Sequence, residues 1–438
     1  MIDSHELKKR DGYLNKLIGF QDTEPVKVVT GIRRCGKSSL LKLMVQHLRD
    51  TGIQPEQIIE MNFESFDFRG MSAEDIYRYV KERIVPERRM YLFFDELQRV
   101  YAWEDAVNAF RVDLNCDIYI TGSNAHLLSS EYSTYLSGRC VEIKMLPLSF
   151  HEFLDFHGFE IHETQSALEG FRKQVFDMSG ERYELREVFD AYMRFGGMPG
   201  IADIGLDQEK ALSLLDGIYS TVVIRDILER EKRRDQRQIA DPVLLRKIIL
   251  FLADNIGSSV SVSSIGNTLV NEGLLECSKR RGTPSAHTVQ AYVNALLESY
   301  FFYEIKRFDI KGKAYLRTLG KFYIVDIGLR NYLLGFRNRN NGHAIENVVY
   351  FELLRRGFDV AIGKIGNSEV DFIATSADEK KYIQVTESML SEDVRKRELA
   401  PLQGIHDSYE KIVLSLEPGL DASYDGIKSE NLIDWLLE

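Results

Sequence analysis

The chain has 438 residues, 44% of them hydrophobic and 28% charged, with a formal net charge of −11, a globular composition long enough for about two to four domains. The acidic balance argues against a protein that coats nucleic acid over its whole surface, and no run of about 18 apolar residues is present to span a membrane. The cysteines, Cys35, Cys116, Cys140 and Cys277, are far apart and form no C-x-x-C pair, which argues against a zinc or disulfide framework and suits a reducing cytoplasm.

The charged start, MIDSHELKKRDGYLNKL, lacks the apolar segment of a secretory signal, so a cytoplasmic protein is expected. Residues 26–150 alternate β-rich runs with amphipathic stretches. The strands read Val26–Thr30, Ile58–Phe63, Met90–Phe94, Ile118–Thr121 and Cys140–Met145, and helices read Ser38–Asp50 and Trp103–Val112. That alternation predicts an α/β domain over 1–150 with a mostly parallel sheet. Residues 151–237 read as a helical lid: Ser149–His157, Tyr183–Phe195 and Asp207–Glu231, interrupted by the turn Gly196-Gly197-Met198-Pro199-Gly200.

Residues 238–333 change pattern. Helices are predicted at Pro242–Asn255, Ser263–Gly273 and Ala286–Ser299. Two β-rich runs follow, Phe301–Arg307 and Ala314–Ile324, around the polar turn Asp309–Lys313. Three helices and a hairpin are the order of a winged helix. Residues 334–438 form a last α/β domain, with a helix at Ala344–Arg356, strands near Phe358–Gly363, Glu369–Ala374 and Tyr382–Thr386, a helix at Ser391–Gly404 and a strand at Lys411–Leu416.

The segment Gly31-Ile-Arg33-Arg34-Cys35-Gly36-Lys37-Ser38 matches G-x-x-x-x-G-K-[ST], the Walker A motif, after the strand VKVVT and before a helix. Its glycines let the backbone curl so that successive N–H groups, through Ser39, point inward at the phosphates of ATP or GTP. Lys37 is expected to reach the β- and γ-phosphates and Ser38 to bind Mg²⁺. The apolar strand Met90-Tyr-Leu-Phe-Phe94 ends in Asp95-Glu96, a Walker B pair: Asp95 suits Mg²⁺, held through water, and Glu96 the attacking water. A third strand ends in Thr121-Gly122-Ser123-Asn124, either a sensor that orients water or an ordinary polar turn. Arg139 is a candidate arginine finger in cis or trans, or a surface or structural arginine.

Together these residues resemble a family of prokaryotic AAA+-type ATPases, an AAA domain joined to a C-terminal domain of unknown function. The matches are Arg10-Asp-Gly-Tyr13-Leu14, GIRRCGKSSLL, FFDELQRVYAWE, the run TGSNAHLLSSEYSTYLSGRCVEIKMLPLSFHEF and the GGMP turn. The resemblance implies that Gly36, Lys37 and Ser38 bind phosphate and Mg²⁺, that Asp95 and Glu96 are the Walker B pair, and that Ser123 or Asn124 is the sensor.

The last domain is similar to the PD-(D/E)xK, restriction-endonuclease-like fold. That fold uses a helix Glu, an Asp at a strand end and E-x-K on the next strand. Here Glu346 and Asp371 stand in the first two places, and Gln384 and Thr386 in the third. A neutral amide and a hydroxyl predict a degenerate site without nuclease activity. The alternatives are a displaced base, Lys364 or Glu387, or two ordinary carboxylates.

Between residues 279 and 321 lie Lys279, Arg280, Arg281, Lys306, Arg307, Lys311, Lys313, Arg317 and Lys321, opposed only by Glu298, Glu304 and Asp309. Such a patch suits DNA phosphates, with Thr288 and Gln290 toward base edges, or a solvated face on a protein-binding winged helix. The sequence thus predicts an ATP-driven switch acting on DNA or a protein partner, with a homo-oligomer among the expectations. An ATP-regulated DNA nuclease and a non-catalytic nucleotide-sensing scaffold are the competing readings.

Overall fold

In the computed structural model of the protein, residues 7–125, 138–166, 170–228, 239, 241–271, 284–316, 319–336, 341–417 and 421–438 are described. The chain divides into two compact units, Met1–Leu146 with Glu298–Tyr300, and Pro147–Leu297 with Phe301–Glu438.

The first unit opens with helix α1 (Asp11–Gly19) and strand β1 (Val26–Thr30), buried at every position, as a strand covered on both faces must be. Then come α2 (Lys37–Asp50), β2 (Ile58–Asn62), α3 (Ala73–Lys81), β3 (Met90–Asp95), α4 (Trp103–Asp113), β4 (Cys116–Gly122) and β5 (Cys140–Lys144). Every strand pair is parallel, in the order β2-β3-β4-β1-β5. Because β4 inserts between β3 and β1, the carboxyl ends of these three strands lie side by side, the edge where parallel α/β sheets hold ligands. Val28, Leu92, Phe94, Phe110 and Ile120 fill the core beneath. Helix α3 starts at a reciprocal cap: Ser72 Oγ accepts from the Asp75 N–H and the Asp75 carboxylate from the Ser72 N–H.

The second unit begins with α5 (Phe150–His157), followed by β6 (Glu160–Ser166), β7 (Gly170–Phe176) and β8 (Arg182–Glu184), an antiparallel three-stranded sheet. This adds strands to a region read as a helical lid, between the helices expected at Ser149–His157 and Tyr183–Phe195. Residues 160–163 are too polar for an amphipathic helix, and Ile161 opposite Val175 supplies a strand's narrow apolar face. Helices α6 (Leu185–Phe195), α7 (Gly200–Ile204) and α8 (Gln208–Ser220) follow, and Thr221–Leu228 continues as a π-helix.

Next are α9 (Pro242–Asp254), β9 (Ser259–Val260), α10 (Val262–Asn271), α11 (Ala286–Glu298), β10 (Phe302–Ile305), β11 (Arg307–Asp309), β12 (Ala314–Tyr315), β13 (Gly320–Ile324) and α12 (Ile327–Leu334). Strand β13 pairs antiparallel with both β10 and β9. The expected hairpin therefore forms at its base, through β10 and β13, and at its tip, through β11 and β12, where Phe308 faces Tyr315. There β11 leaves the small sheet and pairs in parallel with β14 (Asp359–Ile365). The physical reason is apolar: Phe308 and Ile310 pack on the core of the last domain.

That domain continues with α13 (Asn341–Arg355), β15 (Ser368–Thr375), β16 (Lys380–Ser388), α14 (Glu392–Gln403), β17 (Glu410–Glu417), β18 (Ser423–Tyr424), β19 (Ile427–Asn431) and α15 (Leu432–Trp435). Its sheet has eight strands, in the order β12-β11-β14-β15-β16-β17-β19-β18. No described helix is long and apolar enough to cross a membrane.

Candidate nucleotide site

The loop between β1 and α2 is shaped by backbone that only glycine tolerates. Gly31 has φ +142°, and a Cβ there would lie 2.1 Å from the Met145 carbonyl oxygen. Gly36 has φ +103° and caps α2, whose first N–H groups open toward the loop. Lys37 is buried, and its ammonium donates to the Gly31 and Ile32 carbonyls at 2.9 and 3.0 Å. Cys35 is buried, so its side chain faces the core and only its backbone serves the cradle. Ser38 and Ser39 are exposed. The entry segment Arg10-Asp-Gly-Tyr13-Leu14 finds a role here that the sequence did not assign. Arg10 donates to the Cys35 and Leu146 carbonyls at 3.1 and 2.7 Å, bracing the loop from beneath, and Tyr13 Oη accepts from the Leu146 N–H.

Strands β3 and β4 deliver the acids. Asp95 is held from two sides: Asn62, its partner across β2 and β3, donates to Oδ2 at 2.9 Å, and the Thr121 hydroxyl donates to Oδ1. Glu96 lies in the left-handed region, φ +57°, and its backbone N–H donates to Thr121 Oγ1 at 3.0 Å. That turn aims its carboxylate along the sheet edge, where Oε2 accepts from Gln98 Nε2 at 2.7 Å and Ser123 Oγ at 3.2 Å. The Arg33 guanidinium is 3.5 Å from the same oxygen, and Arg33 and Arg99 both pair with Glu64, at 3.2 and 2.9 Å. Arg34 points outward. Asn124 is buried beside Ser123 at the end of β4.

The geometry thus brings together Gly31, Arg33, Gly36, Lys37, Asp95, Glu96 and Ser123. It does not bring Arg139 to them. Arg139 precedes β5, and its carbonyl accepts from Val26 at the start of β1, whereas the loop follows the end of that strand. Five strand residues separate the two, about 15 Å, more than an arginine spans. Residues 126–137 of the matching run lie outside the described residues.

The residues suit a nucleotide triphosphate with Mg²⁺: a glycine cradle a side chain would fill, an ammonium resting on loop carbonyls, and an acid fixed by two neutral donors. Asn62, Thr121, Gln98 and Arg10 are the contributors that sequence reasoning missed. Asn62 lies inside the strand predicted at Ile58–Phe63, but only the pairing of β2 with β3 places it opposite Asp95.

A second cluster of charge lies in the other unit. Lys321 on β13 is buried, with Nζ 3.5 Å from Glu346 Oε2 and 3.8 Å from Asp371 Oδ1. This corrects its assignment to a basic surface. Tyr323 Oη donates to Glu346 Oε2 at 3.1 Å, and His343 Nδ1 lies 3.2 Å from Oε1. Asp371 Oδ2 accepts from the Val385 N–H at 2.9 Å, and Gln384 Nε2 donates to Glu398 at 3.1 Å. Burial pushes the Asp371 carboxyl well above the usual range, reinforced by Glu346. Burial also pushes Glu346 upward, but His343 and Lys321 outweigh it and hold Glu346 low. For Lys321, burial pulls down and the carboxylates raise it on balance. Thr386 is buried, and neither Lys364 nor Glu387 has a contact with this cluster among those described.

Of the other expected basic residues, Arg307 pairs with Glu369 at 3.0 Å, while Lys306, Lys311 and Lys313 are exposed. Lys279, Arg280, Arg281 and Arg317 lie outside the described residues. On α11, Gln290 is exposed and donates to Asn294, and Thr288 is half-buried.

Residues 23–154 match the family described as "AAA domain", and residues 186–340 one described as "Domain of unknown function (DUF8612)". An uncharacterized protein of Haemophilus influenzae is 38% identical over 437 residues, 99% of this chain and 100% of that one. An uncharacterized protein of Methanocaldococcus jannaschii is 30% identical over 427 residues, 95% of this chain and 85% of the other. Among solved structures, the Aeropyrum pernix ORC1 protein in complex with DNA is similar over 74% of this chain and 91% of its own, at 14% identity and a TM-score of 0.30. With whole-length relatives, an AAA domain over the nucleotide site and the loop geometry above, the chain belongs to the AAA-type P-loop ATPase family.

Proposed function

We propose that the chain hydrolyses ATP with Mg²⁺ and works as an AAA+-type switch on DNA or a protein partner. The observation that carries this reading is Glu96, turned by its left-handed backbone onto the edge shared by Lys37 and Asp95. Gly31 to Ser39 are the phosphate cradle, Lys37 counters phosphate charge, and Ser38 and Asp95 are the metal-side ligands. Glu96 polarises water, with Ser123 or Asn124 orienting it. A sensing scaffold needs no such carboxylate. Arg139, exposed and remote from its own loop, suits the site of a neighbouring subunit.

The order α9-β9-α10-α11-β10-β13 supports a winged helix, and Gln290, Lys306, Lys311 and Lys313 are the described residues offered to a partner. Helix α13 beside β14, β15 and β16 supports a restriction-endonuclease-like domain, with Gln384 and Thr386 arguing against nuclease chemistry. Steady-state phosphate release from ATP, with and without DNA, tests the reading. Lys37→Ala is expected to lower turnover at least ~100-fold with an unchanged melting temperature. Wild-type turnover in that variant would sink it. Stimulation by DNA identifies the partner as nucleic acid, and no change points to protein.

A further inference from the structure

The cluster of Glu346, Asp371 and Lys321 is where a restriction-endonuclease-like domain would place a divalent metal, and the donor set does not fit one. A metal such as Mg²⁺ requires near-octahedral oxygen ligands at about 2.0–2.1 Å, most of them water in such sites. Here both carboxylates face an ammonium instead, at 3.5 and 3.8 Å. Glu346 is further committed to Tyr323 and His343, Asp371 to the Val385 backbone, and Gln384 to Glu398. Each of Lys321, Glu346, Asp371 and Gln384 is at most 8% exposed.

The backbone closes the same place. Gly257, with φ +70°, stands so near that a Cβ would lie 3.0 Å from Glu346 Oε2 and 2.6 Å from His343 Nδ1. The Gly257 N–H donates to the Phe322 carbonyl, so this turn is tied to β13 beside Lys321. Among the described residues, no group of three or more His, Cys, Asp or Glu is placed to hold a metal ion.

We infer that Lys321 is the built-in cation of this cluster, standing in for a divalent metal and locking strand β13 to helix α13 and strand β15. The lysine comes from a strand of the small sheet, while the carboxylates come from the last domain. The cluster therefore staples a partner-binding module to a nuclease-like sheet and leaves no room for phosphodiester chemistry. An uncompensated buried charge is strongly destabilising, whereas a neutral replacement of the whole pair is tolerated.

Two measurements on the full-length chain test this. The first is a thermal cycle. Lys321→Met is expected to lower the melting temperature by ~5–10 °C, and adding Glu346→Gln to recover at least about half of that loss. Independent, additive effects would overturn the inference. Should Lys321→Met alone fail to fold, soluble, folded protein regained by adding Glu346→Gln supports it, and failure of both overturns it. The second is Mn²⁺ binding by electron paramagnetic resonance, without nucleotide and in an Asp95→Asn background. No Mn²⁺ dependent on Asp371 is expected. Stoichiometric binding that Asp371→Asn removes, or plasmid cleavage with Mn²⁺ that Asp371→Asn abolishes, would overturn the lock.

Discussion

The two charged sites of this chain use the same kinds of side chain to opposite ends. At the nucleotide site, Asp95 is held by neutral donors, Asn62 and Thr121, which fix a carboxylate without cancelling its charge. Its neighbour Glu96 accepts from Gln98 and Ser123 and also faces the Arg33 guanidinium at 3.5 Å, so it stands between the two cases. In the second unit, Glu346 and Asp371 share a lysine at ion-pair distance. Neutral restraint keeps a charge available for chemistry, and ionic pairing consumes it. The kind of contact distinguishes Asp95 from Glu346 and Asp371 where burial does not, since all of these acids are buried.

The comparison breaks most readily at Glu96. Glu96→Gln keeps the shape and the Ser123 contact but removes the base, so kcat should fall about 10²–10³-fold with nucleotide affinity retained. Phosphate release and fluorescent-nucleotide binding read the two separately, and a proportional loss of both would make Glu96 structural. A smaller effect is expected at Thr121, whose hydroxyl serves Asp95 and the Glu96 N–H together. Thr121→Val should cost about ten-fold in kcat with KM little changed. An unchanged rate would show that Asn62 alone fixes Asp95.

The smallest effect concerns a buried acid outside both sites. Asp326 accepts from the Gly197 and Leu329 N–H groups, and its burial pushes the carboxyl up to about 6. The folded state therefore holds a proton that the unfolded chain releases at lower pH. The stability this contributes is present below about pH 4 and is lost as pH rises toward 6. Asp326→Asn should then gain melting temperature relative to wild type as pH climbs from 4 to 7. A flat difference would mean that the backbone donors already stabilise the carboxylate fully.

The nucleotide site was largely legible because its parts are contiguous: a loop between a strand and a helix, and acids ending a strand. What escaped depends on register. Asn62 faces Asp95 only because β2 and β3 align in parallel, and Thr121 meets Glu96 only because β4 inserts beside β3. Lys321 was misread by counting charge along the chain. The run GKFYI is buried at every position, and a lysine inside such a strand signals an internal partner rather than a surface. Strands β6 and β7 escaped because residues 160–163 and 173–174 are polar and carry little of the apolar signal that marks a strand.

The approach of Gly31 to the Met145 carbonyl has a mechanical consequence. Met145 also donates to Thr30, and Arg10 ties Leu146 to the loop at Cys35. The residues that follow β5 thus form the floor of the candidate cradle. A side chain at position 31 would therefore displace the residues that follow β5 as well as reshape the loop.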